Sequence, residues 1–122
     1  MSTVLIIEDN DKNMKLARDV LQAKGYQTLE AITGEDGVKL ARERKPDLVL
    51  MDIQLPGING IEAFRQIRGD AATRSIPVVA LTASVTPTDR SAITAAGFDA
   101  FISKPINLKE FLDTVKRLVE KK

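Results

Sequence analysis

The sequence contains no cysteine and no histidine. The first absence removes disulfide bonds, thiol nucleophiles and thiolate metal ligands. The second removes serine–histidine catalysis, imidazole-ligated metals and the usual base that titrates near neutrality. Nor is there an excess of charge of either sign: 18 basic and 17 acidic side chains leave a formal net charge of +1. That balance gives no long-range attraction to nucleic acid or to an anionic membrane. No apolar run is long enough to span a bilayer, and the N-terminus passes straight into Val4-Leu5-Ile6-Ile7 with no charged leader or cleavage site. The expectation is a soluble, cytoplasmic protein with neither nucleic acid nor membrane as its partner. Its chemistry must be assembled from Asp, Glu, Lys, Ser, Thr or the single Tyr26.

With 122 residues, 43% hydrophobic and 29% charged, the chain can bury one core without disulfides or metals. Short apolar runs alternate with longer amphipathic stretches. Val4–Ile7 reads as a strand covered on both faces. Residues 11–24 read as a helix with Met14, Ala17, Val20 and Leu21 on one side and Gly25 as its stop. Gln27–Ala31 is a more polar strand, suited to an edge, and a helix over 34–44 ends before Pro46. Leu48–Met51 is a second buried strand, ended by Asp52. After the turn Leu55-Pro56-Gly57-Ile58, Asn59 and Glu62 resemble a capping box for a helix carrying Ile61, Phe64 and Ile67. Val78–Leu81 follows Pro77 as a strand. Thr86-Pro87 suits the start of a helix closed by Gly97, and Ala100–Ile102 is the last strand. Asn107 and Glu110 cap a final helix with the stripe Leu108, Phe111, Leu112, Val115, Leu118 and Val119. Five βα units without repeat or linker predict one α/β domain over 1–122, a doubly wound parallel sheet with helices on both faces.

In such a sheet, ligands bind beyond the carboxyl ends of the strands. The first strand ends in Glu8-Asp9, the third in Asp52, the fourth in Thr82, and the fifth runs into Ser103-Lys104-Pro105. Four strands thus bring three carboxylates, one hydroxyl and one ammonium to the same end. Taken singly, each has a plain reading as a cap, a turn or a solvated charge; independent caps have no reason to cluster. At about 4 Å and an effective dielectric near 20, a like-charged pair costs on the order of 4 kcal/mol before relaxation. Either protons or a divalent cation must offset that. All-oxygen ligands select a hard ion, Mg²⁺ or Mn²⁺. A carboxylate beside such an ion can take up a phosphoryl group as an aspartyl-phosphate, the metal and Lys104 stabilising the transferring oxygens.

The blocks Glu8-Asp9-Asn10, Leu50-Met51-Asp52-Ile53-Gln54-Leu55-Pro56-Gly57, Ala80-Leu81-Thr82-Ala83 and Ile102-Ser103-Lys104-Pro105 resemble the signatures of bacterial two-component response-regulator receiver domains. The likeness covers essentially the whole chain, with Thr82 thirty and Lys104 fifty-two residues after Asp52, as in chemotaxis-type receivers. Asn13–Leu16, Gly25–Leu29, Met51–Pro56 and Ser103–Ile106 are similar to the single-domain cell-division regulators of the DivK type. The resemblance implies a flavodoxin-like (βα)5 fold with strand order 2-1-3-4-5. It implies that Asp52 accepts a phosphoryl group from a phosphohistidine on a histidine kinase or histidine phosphotransfer protein. Asp9, Asp52 and the backbone carbonyl of Gln54 would bind Mg²⁺ directly and Glu8 through water. Lys104, aimed by a cis Lys104-Pro105 bond, would pair with the phosphoryl oxygens, and the Thr82 hydroxyl and Ala83 amide would hydrogen-bond them. Gln54 and Ser84 stand where family members tune hydrolysis.

Switching is implied too. Thr82 would move toward the phosphoryl group and Phe101 would rotate into the space vacated. The face made by the fourth helix, fifth strand and fifth helix would then be reshaped for downstream proteins, and the likeness to the DivK type implies a role in cell-cycle control. Phe101 stands where many members carry Tyr; lacking the hydroxyl, it is expected to favour the outward state less. Leu16 lies about 100° from its helix's core stripe, which makes it either an isolated exposed Leu or an anchor for the donor's histidine-bearing helix. A monomeric stand-alone regulator that assists only its own phosphorylation and dephosphorylation, and is no enzyme, is expected. The rivals are a phosphorylation-independent adaptor, which predicts a broken acid pocket, and a metal-dependent phosphohydrolase, which needs an acid where Gln54 stands.

Overall fold

Runs of Val, Ile and Leu with no polar alternation form strands that must be covered on both faces. The computed structural model, which describes residues 2–53, 55, 57–82, 87–104 and 106–120, has them so covered. The elements are β1 (Thr3–Ile7), α1 (Asp11–Ala23), β2 (Gln27–Ala31), α2 (Gly34–Arg44), β3 (Leu48–Asp52), α3 (Gly60–Gly69), β4 (Val78–Thr82), α4 (Pro87–Ala96), β5 (Ala100–Ser103) and α5 (Leu108–Glu120). The strands form one parallel sheet in the order β2-β1-β3-β4-β5. Every residue of β3 and β4 is buried, whereas Gln27 and Glu30 of β2 are exposed, as an edge strand permits. The chain leaves β1 for β2 and then returns to β3 on β1's other side. That reversal opens a crevice beyond the ends of β1 and β3.

Alternate residues of each strand feed two cores. Val4, Ile6, Leu48, Leu50, Val79 and Ile102 pack with Met14, Ala17 and Leu21 of α1 and Phe111 and Val115 of α5. Leu5, Ile7, Val49, Met51 and Val78 pack on the other side with Val38 and Ala41 of α2 and Ala63, Phe64 and Ile67 of α3. Leu108 departs from the expected apolar stripe of α5 and is 47% exposed. Its angle on the helix is right, but it occupies the first turn, beyond the last residue of β5.

Side-chain caps fix where the helices start. Asn10, Thr33, Asn59 and Asn107 accept from the amides of Asn13, Asp36, Glu62 and Glu110 at 3.1, 3.1, 2.9 and 3.0 Å. Thr86, expected to cap α4, lies outside the described residues, while Pro87 opens that helix as its fixed φ favours. At the opposite end of the sheet Arg68 pairs with Asp99, donates to the carbonyls of Ile76 and Arg74 at 2.5 and 3.1 Å, and lies over the Phe64 ring. Among the described residues no helix is long and apolar enough to cross a membrane.

Burial separates two kinds of apolar position. Phe111→Ala should cost about 3–5 kcal/mol of stability through the cavity it leaves. Leu16→Ala, at a site 38% exposed, should stay within about 0.5 kcal/mol; urea unfolding of the two variants measures both.

Candidate functional site

The polar groups at the carboxyl ends are held by the sheet's own ladder. The Glu8 amide donates to the carbonyl of Ala31 at 3.0 Å, extending the β1–β2 pairing and driving the Glu8 side chain inward, where it is 1% exposed. Asp52, the last residue of β3, is 5% exposed, and Thr82, the last of β4, is 2% exposed. Beyond β5, the Lys104 amide donates to the carbonyl of Thr82 at 2.8 Å. This bond turns the Lys104 side chain back over the crevice. Its Nζ lies 2.6 Å from Glu8 Oε1 and 3.0 Å from Asp52 Oδ2.

Asp9 is exposed and completes the group. One carboxylate oxygen from each of Glu8, Asp9 and Asp52 lies within 4.8 Å of the others. Crowding leaves its mark on the acid–base balance. The Glu8 carboxyl is pushed from 4.5 to about 7, first by burial and then by its hydrogen bond with Asp52, against the opposing pull of Lys104. Burial disfavours the Lys104 ammonium, yet the hydrogen bonds with Glu8 and Asp52 outweigh it and raise its pKa. One ammonium therefore serves two buried carboxylates, and the third is left to solvent. An all-oxygen trio that takes up a proton near neutrality fits a hard divalent cation, whose charge would remove the repulsion.

The sequence-predicted residues thus divide. Glu8, Asp9, Asp52 and Lys104 come together. Thr82 is buried at the end of the adjacent strand, in register with Ser103. Phe101 is half-buried on β5 opposite Ala80. Leu16 lies on α1 and is exposed. Gln54, Ala83, Ser84 and Pro105, and with Pro105 the expected cis bond, lie outside the described residues. Sequence reasoning missed Gly60, the first residue of α3, which abuts the Asp52 backbone. The available signal was a glycine at a helix start, where nothing in the helix favours it.

The chain matches the response regulator receiver domain family across residues 4–116. It belongs to that family. The receiver is 46% identical over 114 residues to the polar-differentiation response regulators DivK of Brucella anthropi and Brucella ovis, covering 93% of this chain and 93% of each relative. It is 30% identical to the receiver domain of a sensor histidine kinase from Pseudomonas aeruginosa, with a TM-score of 0.91 over 98% of both chains; that structure has a magnesium ion coordinated in its active-site cleft. A chemotaxis response regulator from Vibrio cholerae shares the fold, with a TM-score of 0.90 at 24% identity over 97% of this chain and 98% of its own. The receiver is accordingly a two-component signalling domain related to DivK, with an acidic cluster at the expected end of its sheet.

The raised Glu8 pKa fixes a sign. Folding binds the Glu8 proton more tightly than the unfolded chain does, so this group's contribution to metal-free stability is full below about 4.5. It is lost as pH rises through about 7. Glu8→Gln removes the titration. In chelator, urea unfolding across that window should show the stability of Glu8→Gln relative to wild type moving steadily in the variant's favour.

Proposed function

We propose that the receiver is a phosphorylation-driven switch whose phosphoacceptor is Asp52. One observation carries the reading: the Asp52 carboxylate ends a buried strand with the Lys104 ammonium on it, in a crevice that holds two further carboxylates. The donor is a phosphohistidine on a histidine kinase or phosphotransfer protein. Asp52 Oδ attacks phosphorus, the phosphorus–nitrogen bond breaks, and the imidazole leaves with a proton. Asp9, Asp52 and the Gln54 carbonyl would hold Mg²⁺ directly, and Glu8 would hold it through water. When bound, the ion supplies positive charge to the transferring oxygens. Lys104 exchanges its carboxylate partners for the new phosphoryl oxygens, and the Thr82 hydroxyl and Ala83 amide donate to them.

Phosphorylation adds about two negative charges and strong acceptors. Thr82 moves toward them and the ring of Phe101 follows inward, altering the face formed by α4, β5 and α5 that downstream proteins read. The receiver acts in the cytoplasm, its output passing through partner proteins. Among the described residues the exposed large hydrophobics are Leu16, Ile32 and Leu108. Leu16 lies in the second turn of α1, while Ile32 just past β2 and Leu108 at the start of α5 lie toward the Asp52 end of the sheet. Leu16 anchors the donor helix.

Incubation with Mg²⁺ and acetyl phosphate, followed by intact mass, should show one phosphate adduct, absent in Asp52→Asn and absent after chelation. A wild-type protein with no adduct defeats the reading, and turnover of a phosphate monoester beyond one equivalent would favour a hydrolase. Leu16→Asp should keep its adduct from acetyl phosphate while transfer from the cognate kinase slows by about tenfold or more, the loss of roughly 1.4 kcal/mol of docking. Unchanged transfer removes Leu16 from the donor surface.

A further inference from the structure

The carboxylate cluster is only as well placed as the backbone that carries it, and one residue outside it presses on that backbone. Gly60 opens α3 against the last residue of β3. A Cβ at this position would stand 2.4 Å from the Asp52 carbonyl oxygen, 2.7 Å from Ile53 Cα and 3.1 Å from the Asp52 carbonyl carbon. All three are main-chain atoms, so no side-chain rotation relieves the overlap. Ordinary contact needs about 3.5–4.0 Å. A methyl group therefore forces the helix start and the Asp52–Ile53 peptide apart by roughly 1 Å.

That peptide is held on both sides. The Ile53 amide donates to Leu81 of β4 at 3.0 Å, and the Gly60 amide donates to the Ile53 carbonyl at 2.9 Å. Asn59, by capping α3 on the Glu62 amide, fixes where the helix begins. The junction behind Asp52 is thus clamped between β4 and α3, with no slack for a side chain. In front of it, Asp52 Oδ2 is 3.0 Å from Lys104 Nζ and belongs to the trio of oxygens within 4.8 Å of one another.

We propose that Gly60 is a positioning residue: its missing side chain lets α3 seat directly on the Asp52 peptide and so sets the place of the Asp52 carboxylate relative to Glu8, Asp9 and Lys104. It touches neither metal nor phosphoryl group. Misplacement of a reacting group by about 1 Å lowers rates by up to about a hundredfold. By helix propensity alone, alanine would improve this position; the backbone overlap opposes it.

The inference rests on the metal and phosphoacceptor reading above, and the test separates the two. Mg²⁺ is titrated into wild type, Gly60→Ala and Ile67→Ala, following backbone amide resonances, and adduct formation from acetyl phosphate is timed in parallel. Ile67 is fully buried two turns along the same helix, so Ile67→Ala loosens the fold without reaching Asp52. Gly60→Ala should bind Mg²⁺ about tenfold or more weakly and form adduct tenfold to a hundredfold more slowly. Ile67→Ala should stay within about twofold of wild type on both. If wild type itself binds no Mg²⁺ and gains no phosphate, the earlier reading falls and takes this one with it. If wild type does both and Gly60→Ala matches it, or Ile67→Ala is impaired as much, only the proposal for Gly60 is overturned. Circular dichroism establishes that each variant is folded, and trimethylamine N-oxide is added where it is not. A Gly60→Ala chain still unfolded then makes the glycine a requirement for folding alone and overturns the proposal.

Discussion

Lys104 reaches back across 96 residues of sequence to Glu8, and across 52 to Asp52, from the end of β5. The rest of the receiver is arranged around that contact. Two carboxylates buried at the ends of adjacent strands would repel strongly in a water-poor crevice, and one ammonium offsets part of the cost. The remainder shows in Glu8, which holds its proton to about 7. The crevice is therefore short of positive charge as it stands. A buried carboxylate held back from its charged form by its neighbours is the kind of group found at functional sites.

The same contact constrains the backbone. The Lys104 ammonium arrives only because the Lys104 amide is bonded to the carbonyl of Thr82. The chain thus joins the ammonium and the hydroxyl-bearing end of β4 through a single main-chain bond. Phe101 of β5, three residues before Lys104, pairs in register with Ala80, two before Thr82. Thr82 and Phe101 thus lie on two strands that are hydrogen-bonded neighbours in the sheet.

Much of this was legible in the sequence, and for identifiable reasons. Val78–Thr82 and Leu48–Asp52 lack alternation, which only a doubly covered sheet allows, and Gln27 and Glu30 marked β2 as an edge. Asn59 and Asn107 announced their helices because capping is a local interaction. Glu8, Asp9, Asp52 and Lys104 could be brought together on paper because parallel topology sends every strand's carboxyl end to the same side. Gly60 could not, because its reason is a distance to the Asp52 carbonyl and no pattern of residue types encodes that distance. Leu108 was misjudged in a similar way. Its helical angle promised burial, but the end of the sheet decides how far along α5 burial extends.

The caps of α1, α2, α3 and α5 have a further meaning. In a right-handed βα succession every helix begins where a strand ends, so these four N-termini point toward the crevice side of the sheet. Each carries a partial positive charge from its unpaired first-turn amides. The fold thus surrounds its acidic crevice with a weak positive field that no side chain supplies and no substitution of a charged residue removes. Such a field eases the crowding of the carboxylates and favours any anion near the crevice by the same sign. Attraction for anions is in this sense a property of the connectivity, and the acidic side chains are what give it selectivity.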